Sequence, residues 1–298
     1  MTISRAQLAK ELEPGLNALF GLEYDRYENE AAEIFESEGS DRAFEEEVML
    51  SGFGTAPVKT EGSAINFDDA QETYTARYTM ETIALAFSIT EEAVEDNLYD
   101  RLAARYTRAL ARSMAQTKQI KGATVLNNAF LATSPIGDGA ALCSAAHPSL
   151  SGNQRNLLET PADLNETSLE DILIQIAGFT DERGLKIAVR GTKLLIPKEL
   201  QFIAERIINS NLRPGTADND INAMKSMGML PEGAAVNHFF TDADAYFVKT
   251  DCPNGFKLFN RTPLKTAMEG DFDTGNMRFK ARERYAFGVS DWRCVYGT

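Results

Sequence analysis

The sequence Glu72-Thr-Tyr-Thr-Ala-Arg-Tyr-Thr-Met-Glu-Thr-Ile-Ala-Leu-Ala-Phe-Ser-Ile89 decides the fold. Its side chains alternate between polar and apolar, and a run of this length spans roughly 60 Å when fully extended, whereas typical strands have about 5–6 residues. Thr55–Lys59 predicts the outgoing strand, and Thr60–Ser63 predicts the tip. A ribbon this long reaches past a compact domain and exposes surface that another molecule must cover. We therefore predict a chain that joins copies of itself.

The apolar side chains change faces partway along this segment. Tyr74 and Tyr78 occupy even positions, whereas Ile83 and Phe87 occupy odd positions. Because side chains alternate between the two faces of a strand, this shift turns the apolar face over. A bulge or twist near Glu81–Thr82 is the simplest cause. We predict that the outer half covers a neighbour and the inner half covers its own domain.

A long charged helix follows at once. Thr90 is a favourable N-cap, and the acidic first turn suits the helix dipole. The pattern continues to about Gly122, so we predict a helix over 91–121, roughly 45 Å long. Its apolar stripe of Val94, Leu98 and Leu102 is narrow, and its C-terminal half is basic. This pattern is typical of a spine rather than a buried core helix.

The remainder of the chain predicts an arm and a second α/β unit. Residues 1–43 are acidic, contain helix breakers at Pro14 and Gly15, and lack a core of their own, so we expect them to order only on another surface. Ser168 is predicted to cap a helix. The later predicted elements are a strand at Thr192–Ile196, a helix from Pro197 to Asn209, and strands at Ala234–Phe240, Ala245–Lys249, Phe256–Phe259, Met277–Val289 and Trp292–Tyr296.

Composition narrows the class of protein. The chain has 298 residues, 43% of them hydrophobic, with a net charge of −14. Such an acidic chain is not expected to grip nucleic acid, because that affinity comes largely from Lys and Arg. Three cysteines argue against a disulfide framework and fit a reducing cytoplasm. The first ten residues contain no apolar signal segment, and no run is long enough for a membrane span.

The charge is unevenly distributed. Residues 1–50 contain 13 acidic and four basic side chains, whereas residues 276–298 are net basic. Alternation places Arg278, Lys280, Arg282 and Arg284 on one face of a strand. Pairing of this face with acidic groups, within or between subunits, is favoured over a nucleic-acid stripe because no aromatic residues interleave with the cations. Two solvated faces remain an alternative.

Candidate catalytic residues are few. The chain contains no glycine-rich phosphate loop and no nucleophile elbow. Cys143 and His147 are a conceivable nucleophile and base, but a buried thiol and a His-Pro turn is the favoured interpretation. The acidic clusters Glu45–Glu47 and Asp68–Asp69 are interpreted as solvated charges rather than cation sites. We predict no catalytic, cofactor-binding or metal-binding residues.

An ordered series of short segments covers nearly the whole chain. The segments are Tyr24-Asp-Arg-Tyr27, Ile34-Phe35-Glu36, Ala43-Phe44-Glu-Glu, Gly52-Phe53-Gly54, Asp68-Asp69-Ala70, Ile89-Thr90, Glu95-Asp-Asn-Leu-Tyr-Asp100 and Leu142-Cys-Ser-Ala-Ala-His147-Pro148. None of them is a catalytic signature. Together with the order of the predicted elements, they resemble a tailed-phage major capsid protein of the HK97 fold, most closely the Mu-like major head subunit group.

The resemblance implies an α+β fold in which the chain is divided into an arm, an extended loop and two domains. Residues 1–43 are expected to form the N-terminal arm and residues 44–82 the extended loop. The peripheral domain is expected to comprise 83–165 and 251–298 and to include the spine helix. Residues 166–250 are expected to form the axial α/β domain, which meets its copies around five- and six-fold axes.

The function implied is a structural protein that assembles into pentamers and hexamers of an icosahedral shell around double-stranded DNA, which it encloses without specific binding. Expected partners are other copies, a portal, a separate scaffolding protein and, optionally, a decoration protein. The arm motif begins about 20 residues into the chain, which leaves no room for a large N-terminal scaffolding segment. We expect either that scaffolding is a separate protein or that the chain is already processed, and Met1 argues against processing. The expected location is the virion, after assembly in the host bacterial cytoplasm, with no membrane partner and no enzymatic activity.

Two other functions remain open at the level of sequence. One is an encapsulin-like compartment shell of the same fold, and the other is a small enzyme using Cys143 and His147. For the shell, the predicted inter-subunit contacts are charged and aromatic residues of the extended loop and of the basic strand. They are Lys59, Glu61, Phe67, Tyr74, Arg77, Arg278, Lys280 and Arg282.

Overall fold

The structure, a computed structural model, describes residues 5–90, 92, 99–212, 220–271 and 274–298. The α-helices in this part of the chain are α1 (Arg5–Tyr24), α2 (Tyr99–Asn127), α3 (Glu166–Ala177), α4 (Gln201–Asn209) and α5 (Ala223–Ser226). The strands are β1 (Glu36–Gly39), β2 (Phe44–Leu50), β3 (Glu72–Thr79), β4 (Glu81–Ile89), β5 (Gly191–Pro197), β6 (Ala234–Asn237), β7 (Phe247–Thr250), β8 (Phe256–Gly270), β9 (Met277–Val289) and β10 (Val295–Gly297). Short 3-10 turns lie at Glu30–Glu33, Lys198–Leu200 and Trp292–Cys294.

The first layer is a four-stranded sheet in the order β1-β8-β9-β4. β9 alternates as its sequence predicts: Phe279 and Ala281 are buried, while Lys280 and Arg282 between them are exposed. The buried face packs on α2 through a core that includes Leu110, Ala111 and Met114. The sheet and α2 together form the body from which the extended loop departs.

The arm lies on its own chain. Leu16 and Phe20 of α1 are buried in the same core as Leu110 and Met114 of α2. Pro14, which the sequence suggested as a helix breaker, lies inside α1. We expected the arm to order only against another surface, and in the structure α2 and the first sheet of the same chain supply that surface.

The second layer is a four-stranded sheet in the order β10-β7-β5-β6. One of its faces is covered by α3 and α4, and their core includes Leu169, Ile172, Leu194 and Val248. The helix cap differs from the prediction. Asn165 is the N-cap, and Ser168 is its reciprocal partner in the third helical position, because the Asn165 carboxamide accepts the Ser168 amide hydrogen across 2.8 Å.

The spine helix ends later than predicted. It reaches Asn127 rather than 121, while residues 91 and 93–98, where its start was predicted, lie outside the described residues. Gly122 is not a terminator. A Cβ atom there would lie 3.0 Å from the Ala31 Cβ and 3.4 Å from the Phe287 ring, so glycine allows the helix to pack closely against the arm and the sheet.

The outgoing strand of the extended loop was also predicted in the wrong place. It is Phe44–Leu50, and residues 55–59 form no strand. The returning segment breaks at Met80, one residue before the predicted bulge, and β3 pairs with β2 while β4 pairs with β9. β3 and β4 thus belong to different sheets, which explains why the apolar side chains change faces partway along this segment. β8 extends to Gly270, well beyond the predicted Phe259.

Candidate assembly surfaces

The base of the extended loop is fastened to the body by a buried polar cluster. Lys257 of β8, only 5% exposed, forms ion pairs with Glu47 of β2 and, across 3.2 Å, with Glu38 of β1. Ser290 donates to Glu47 and also contacts the Tyr78 hydroxyl. Although burial disfavours the charged Lys257 amine, the hydrogen bonds that this amine donates to the Glu47 and Glu38 carboxylates raise its pKa overall. The base of the loop is therefore held by charge as well as by packing.

Two glycines let β3 approach the body closely. A Cβ on Gly137 would lie 2.9 Å from the Ala76 Cα, and a Cβ on Gly288 would lie 2.6 Å from the Tyr78 ring. Real Cβ contacts are longer than this, so any side chain at either position would move the strand. Glycine at these two positions thus sets the distance between the loop and the body.

The distal part of the loop, residues 55–72, is exposed at every position. Val58 is 94% exposed and Phe67 is 95% exposed, which is unusual for large apolar side chains without a partner. The tip is a turn in which the Ser63 amide donates to the Thr60 carbonyl across 3.1 Å, and Gly62 supplies a φ of +80°. The predicted tip is therefore confirmed, and this segment is open to another molecule.

One clamp fixes the neck of this distal segment. Asp68 accepts the Gly54 amide hydrogen across 2.7 Å and forms an ion pair with Arg183 across 2.7 Å. Arg183 also donates to the carbonyl oxygen of Asp69 across 2.9 Å. The backbone hydrogen bond from Gly54 and the nearby guanidinium lower the pKa of Asp68. The clamp joins both sides of the loop to a turn that precedes β5.

A ladder of cations covers the exposed face of the first sheet. We call Arg278, Lys280 and Arg282 of β9 the basic ladder. Their neighbours on β4 are the small residues Ser88, Ala86 and Ala84, and those on β8 are Glu269, Ala267 and Lys265. Arg278 forms an ion pair with Asp271 across 2.6 Å. Within the described residues Lys280 and Arg282 form none, so their charges are available to a partner.

The predicted contact residues fall into three groups. Lys59, Glu61 and Phe67 lie on the distal loop, away from the body. Tyr74 turns inward, and its hydroxyl donates to the Ser290 carbonyl across 3.2 Å; burial raises its pKa. Arg77 lies on the outer face of the hairpin. The structure thus gives Tyr74 a contact within its own chain, and its contact with a neighbour stays a prediction.

Arg77 has two partners in its own chain. Its guanidinium lies 4.2 Å from the centre of the Phe44 ring and 3.7 Å from the Glu46 carboxylate. Because its side chain is still 57% exposed, both interactions leave room for a further contact.

Cys143 and His147 do not form a catalytic pair. Both ring nitrogens of His147 are engaged, Nδ1 with Asp138 across 2.6 Å and Nε2 with the Asn156 carboxamide oxygen across 3.0 Å. The ring is fully buried and stacks on Trp292. Burial raises the pKa of the Cys143 thiol, which keeps it neutral. The two residues are structural, as the favoured interpretation of the sequence holds.

The acidic cluster at Glu45–Glu47 is divided among protein partners. Glu45 accepts a hydrogen bond from Ser40 across 2.6 Å, Glu46 pairs with Arg77, and Glu47 pairs with Lys257.

In the part of the chain that the structure describes, no three His, Cys, Asp or Glu side chains are arranged to hold a metal ion. Among the described helices, none is long and apolar enough to cross a membrane.

Sequence reasoning missed the residues that orient the loop. Arg183 and Lys257 lie far along the chain from the acids they bind, and Gly137 and Gly288 lie in unrelated segments. No local pattern marks any of them, since their role depends on contacts made only in the folded subunit.

Several solved structures share the fold of this chain. The chain is similar to a structure from Mycobacterium phage Adephagia, with a TM-score of 0.54, 13% identity and coverage of 91% of this chain and 90% of the other. The capsid of Myoviridae phage XM1 is similar with a TM-score of 0.52 and 11% identity, and the match covers 89% of this chain and 88% of the other. A virus-like particle from Pyrococcus furiosus is similar with a TM-score of 0.54 and 8% identity, and the match covers 95% of this chain and 97% of the other. A comparison with curated protein sequences gives no match.

The predicted HK97-like α+β fold, which is the fold of phage capsid subunits, is therefore confirmed. A family model described as phage capsid protein matches residues 73–297, so the chain belongs to the phage capsid protein family. The Mu-like subgroup stays a prediction. The encapsulin-like alternative is the weaker one, because the matching family is a phage family.

Proposed function

We propose that this capsid protein assembles into hexamers and pentamers of an icosahedral shell that encloses double-stranded DNA without binding it specifically. The observation that carries the proposal is the distal loop, which is exposed along 55–72 although it bears Val58, Ile65 and Phe67. Such surface is stable in an assembly that covers it. The net charge of −14 weakens any grip on the enclosed DNA.

The loop and the basic ladder have complementary charge. Residues 44–82 contain eight acidic and two basic side chains, and of these acids Glu61, Asp69 and Glu72 form no ion pair among the described residues. The ladder presents Lys280 and Arg282, which likewise form no ion pair within the described part of the chain. Opposite charge favours and orients an encounter between two copies. The loop of one subunit therefore lies across the ladder of the next, with Lys59, Glu61, Phe67 and Arg77 in the contact.

The remaining partners follow from the shell. A portal admits the DNA, a separate scaffolding protein guides assembly, and a decoration protein is an optional addition. Assembly takes place in the host bacterial cytoplasm, and the finished protein resides in the virion. It acts as a structural component and not as an enzyme.

The test is a loop-shortened variant in which residues 56–66 are replaced by Gly-Ser. This change keeps Gly54 and Asp68, so the neck clamp survives. We expect a folded subunit with an unchanged melting temperature that forms no closed shells by negative-stain electron microscopy. Leu150→Ser, which alters an exposed apolar residue outside the loop, is the matched control and should assemble normally. Closed shells from the shortened variant would contradict the assigned role of the loop.

A further inference from the structure

An acid-rimmed cleft opens at the β10 edge of the second sheet. Its volume is about 340 Å³, and its apolar lining comprises Phe130, Leu157, Leu158, Pro161, Ala162 and Ala245. Asp163, Asp242 and Asp244 line its rim. Phe130 stacks on Phe247 with ring centres 5.6 Å apart and still leaves 42% of its surface exposed. The floor of the cleft is thus apolar and partly open to solvent.

The rim of the cleft carries three carboxylates. Asp242 accepts the Asp244 amide hydrogen across 3.1 Å, which fixes the turn before β7. No ion pair to Asp163, Asp242 or Asp244 is formed among the described residues. Three neighbouring carboxylates around an apolar floor favour an occupant that combines an apolar side chain with a cation.

The same chain carries such a surface at the other edge of the sheet. We call it the apolar helix edge, formed by Phe202 and Ile203 of α4 and by Met227, which follows α5. These side chains are 67%, 39% and 68% exposed. The opposite face of α4 is buried through Ala204, Ile207 and Ile208, so α4 is apolar beyond what its own core requires.

A cation accompanies this apolar edge. Arg206 lies one helical turn after Phe202 and therefore on the same side of α4. It is exposed and forms no ion pair within the described residues. Glu205 is exposed next to Arg206, so this edge carries both signs of charge. A contact with the acidic rim is favourable when Arg206, rather than Glu205, faces the aspartates.

The topology sets the two surfaces apart. β10 and β6 are opposite edges of one sheet; the cleft adjoins β10, and α4 packs beside β6. A contact between two different surfaces on identical copies is heterologous, and when its rotation closes it produces a ring. The two surfaces are therefore arranged for head-to-tail association rather than for a two-fold dimer.

We propose that the apolar helix edge of one subunit occupies the acid-rimmed cleft of the next, with Phe202 over the apolar floor and Arg206 facing the rim aspartates. The proposal rests on the proposed function, because it names the surfaces that meet within a ring of subunits. The occupant is a second copy of this chain. This ring contact is separate from the contact made by the extended loop.

The first test is cross-linking between two different single variants of the full chain. Met227→Cys and Ala162→Cys are placed in a Cys252→Ser background, since Cys143 and Cys294 are buried. The two proteins are mixed, assembled and treated with a short bis-maleimide. We expect a covalent dimer in the mixture and none with either variant alone. Leu150→Cys mixed with Met227→Cys is the control pair and should not cross-link.

The second test exchanges charges. Asp244→Arg and Arg206→Asp should each lower the assembled fraction about tenfold, because like charges then meet across the contact, and the double variant should restore it. Circular dichroism and the melting temperature establish that each variant folds, and Phe202→Ser should weaken assembly without a charge change. Rescue is the readout that a purely structural defect would not give.

The outcomes separate the two proposals. Shells or rings without the Met227–Ala162 cross-link, or without rescue by the double variant, would overturn the ring contact and leave the capsid function standing. Cross-linked rings from the loop-shortened variant would support the ring contact independently of the loop. If the wild-type chain forms neither rings nor shells with or without a scaffold, both proposals fall.

Discussion

Arg183 and Asp68 lie 115 positions apart in the chain, and in the folded subunit the Arg183 Nη2 donates to the Asp68 carboxylate across 2.7 Å. The same nitrogen donates to the Asp69 carbonyl, and Asp68 in turn accepts the Gly54 amide hydrogen. A loop whose distal residues make few other contacts is thus aimed by one guanidinium. The direction of the loop depends on a residue outside it.

Removing the guanidinium should release the loop without unfolding the subunit. For Arg183→Ala we expect several-fold faster proteolysis within residues 55–67, because this segment then pivots about its base, and a melting temperature close to wild type. Lys225→Ala, which removes an exposed cation far from the loop in the sequence, is the control. Unchanged proteolysis in Arg183→Ala would show that the base alone aims the loop.

The clamp should also respond to acid. The pKa of Asp68 is lowered from its ordinary value of 3.8 by the Gly54 amide and by Arg183. A depressed pKa means that the stabilisation is present above the ordinary value and is lost as the pH falls through the lowered one. A fluorescent label on Ser63→Cys should therefore lose anisotropy in that acid range. With Asp68→Asn the anisotropy should be low throughout and show no such step.

The parts of this fold that sequence reasoning predicted are those with local signals. The alternation in Met277–Val289 gives the strand with its correct ends and places Lys280 and Arg282 on the exposed face. The apolar spacing at Leu169, Ile172 and Ile176 gives a helix with the correct buried side. In these segments buried and exposed positions repeat regularly along the element, so the local pattern of apolar and polar residues is sufficient to predict the element and its buried side.

The outgoing strand shows why other parts were not predictable. Phe44–Leu50 contains three consecutive glutamates, which argues against a strand with one face buried. The structure accommodates Glu47 on the inner face because Lys257 and Ser290 receive it there. That compensation comes from residues more than 200 positions away, so the local sequence contains no trace of it. The loop clamp and both docking glycines depend on distant contacts in the same way.

Close packing at Gly137 predicts a change in assembly without a change in the surface. In Gly137→Ala the new methyl group would meet the backbone of Ala76 at 2.9 Å, and backbone cannot rotate away as a side chain can. We expect the base of the loop to shift, and closed shells to become irregular or rare by electron microscopy. Gly39→Ala, where nothing lies within 4 Å of the added methyl group, is the matched control. Regular shells from both variants would show that the base tolerates displacement.

Glu283 is a buried carboxylate whose charge the subunit compensates only in part. Its side chain is 3% exposed, Lys118 Nζ lies 3.8 Å away, and the Tyr24 hydroxyl donates to it across 3.5 Å. Within the described residues its Oε1 has no partner. Burial raises its pKa above the ordinary value of 4.5, while Lys118 and Tyr24 act in the opposite direction. The folded subunit therefore holds the proton more tightly than the unfolded chain does.

Neutralising this carboxylate should stabilise the subunit in a pH-dependent way. Glu283→Gln keeps the shape of the side chain and removes a buried charge that Lys118 compensates only in part, so we expect the variant to be more stable than the wild type at pH 7. The pKa of Glu283 is higher in the folded protein than in the unfolded chain, so the wild-type protein gains stability as the pH falls through the folded pKa toward 4.5. The difference in stability between the wild type and Glu283→Gln should therefore narrow. Melting temperatures measured from pH 7 to pH 5 check this, with exposed Glu269→Gln as the control. A constant difference across that range would mean that Glu283 stays ionised and that Lys118 compensates it fully.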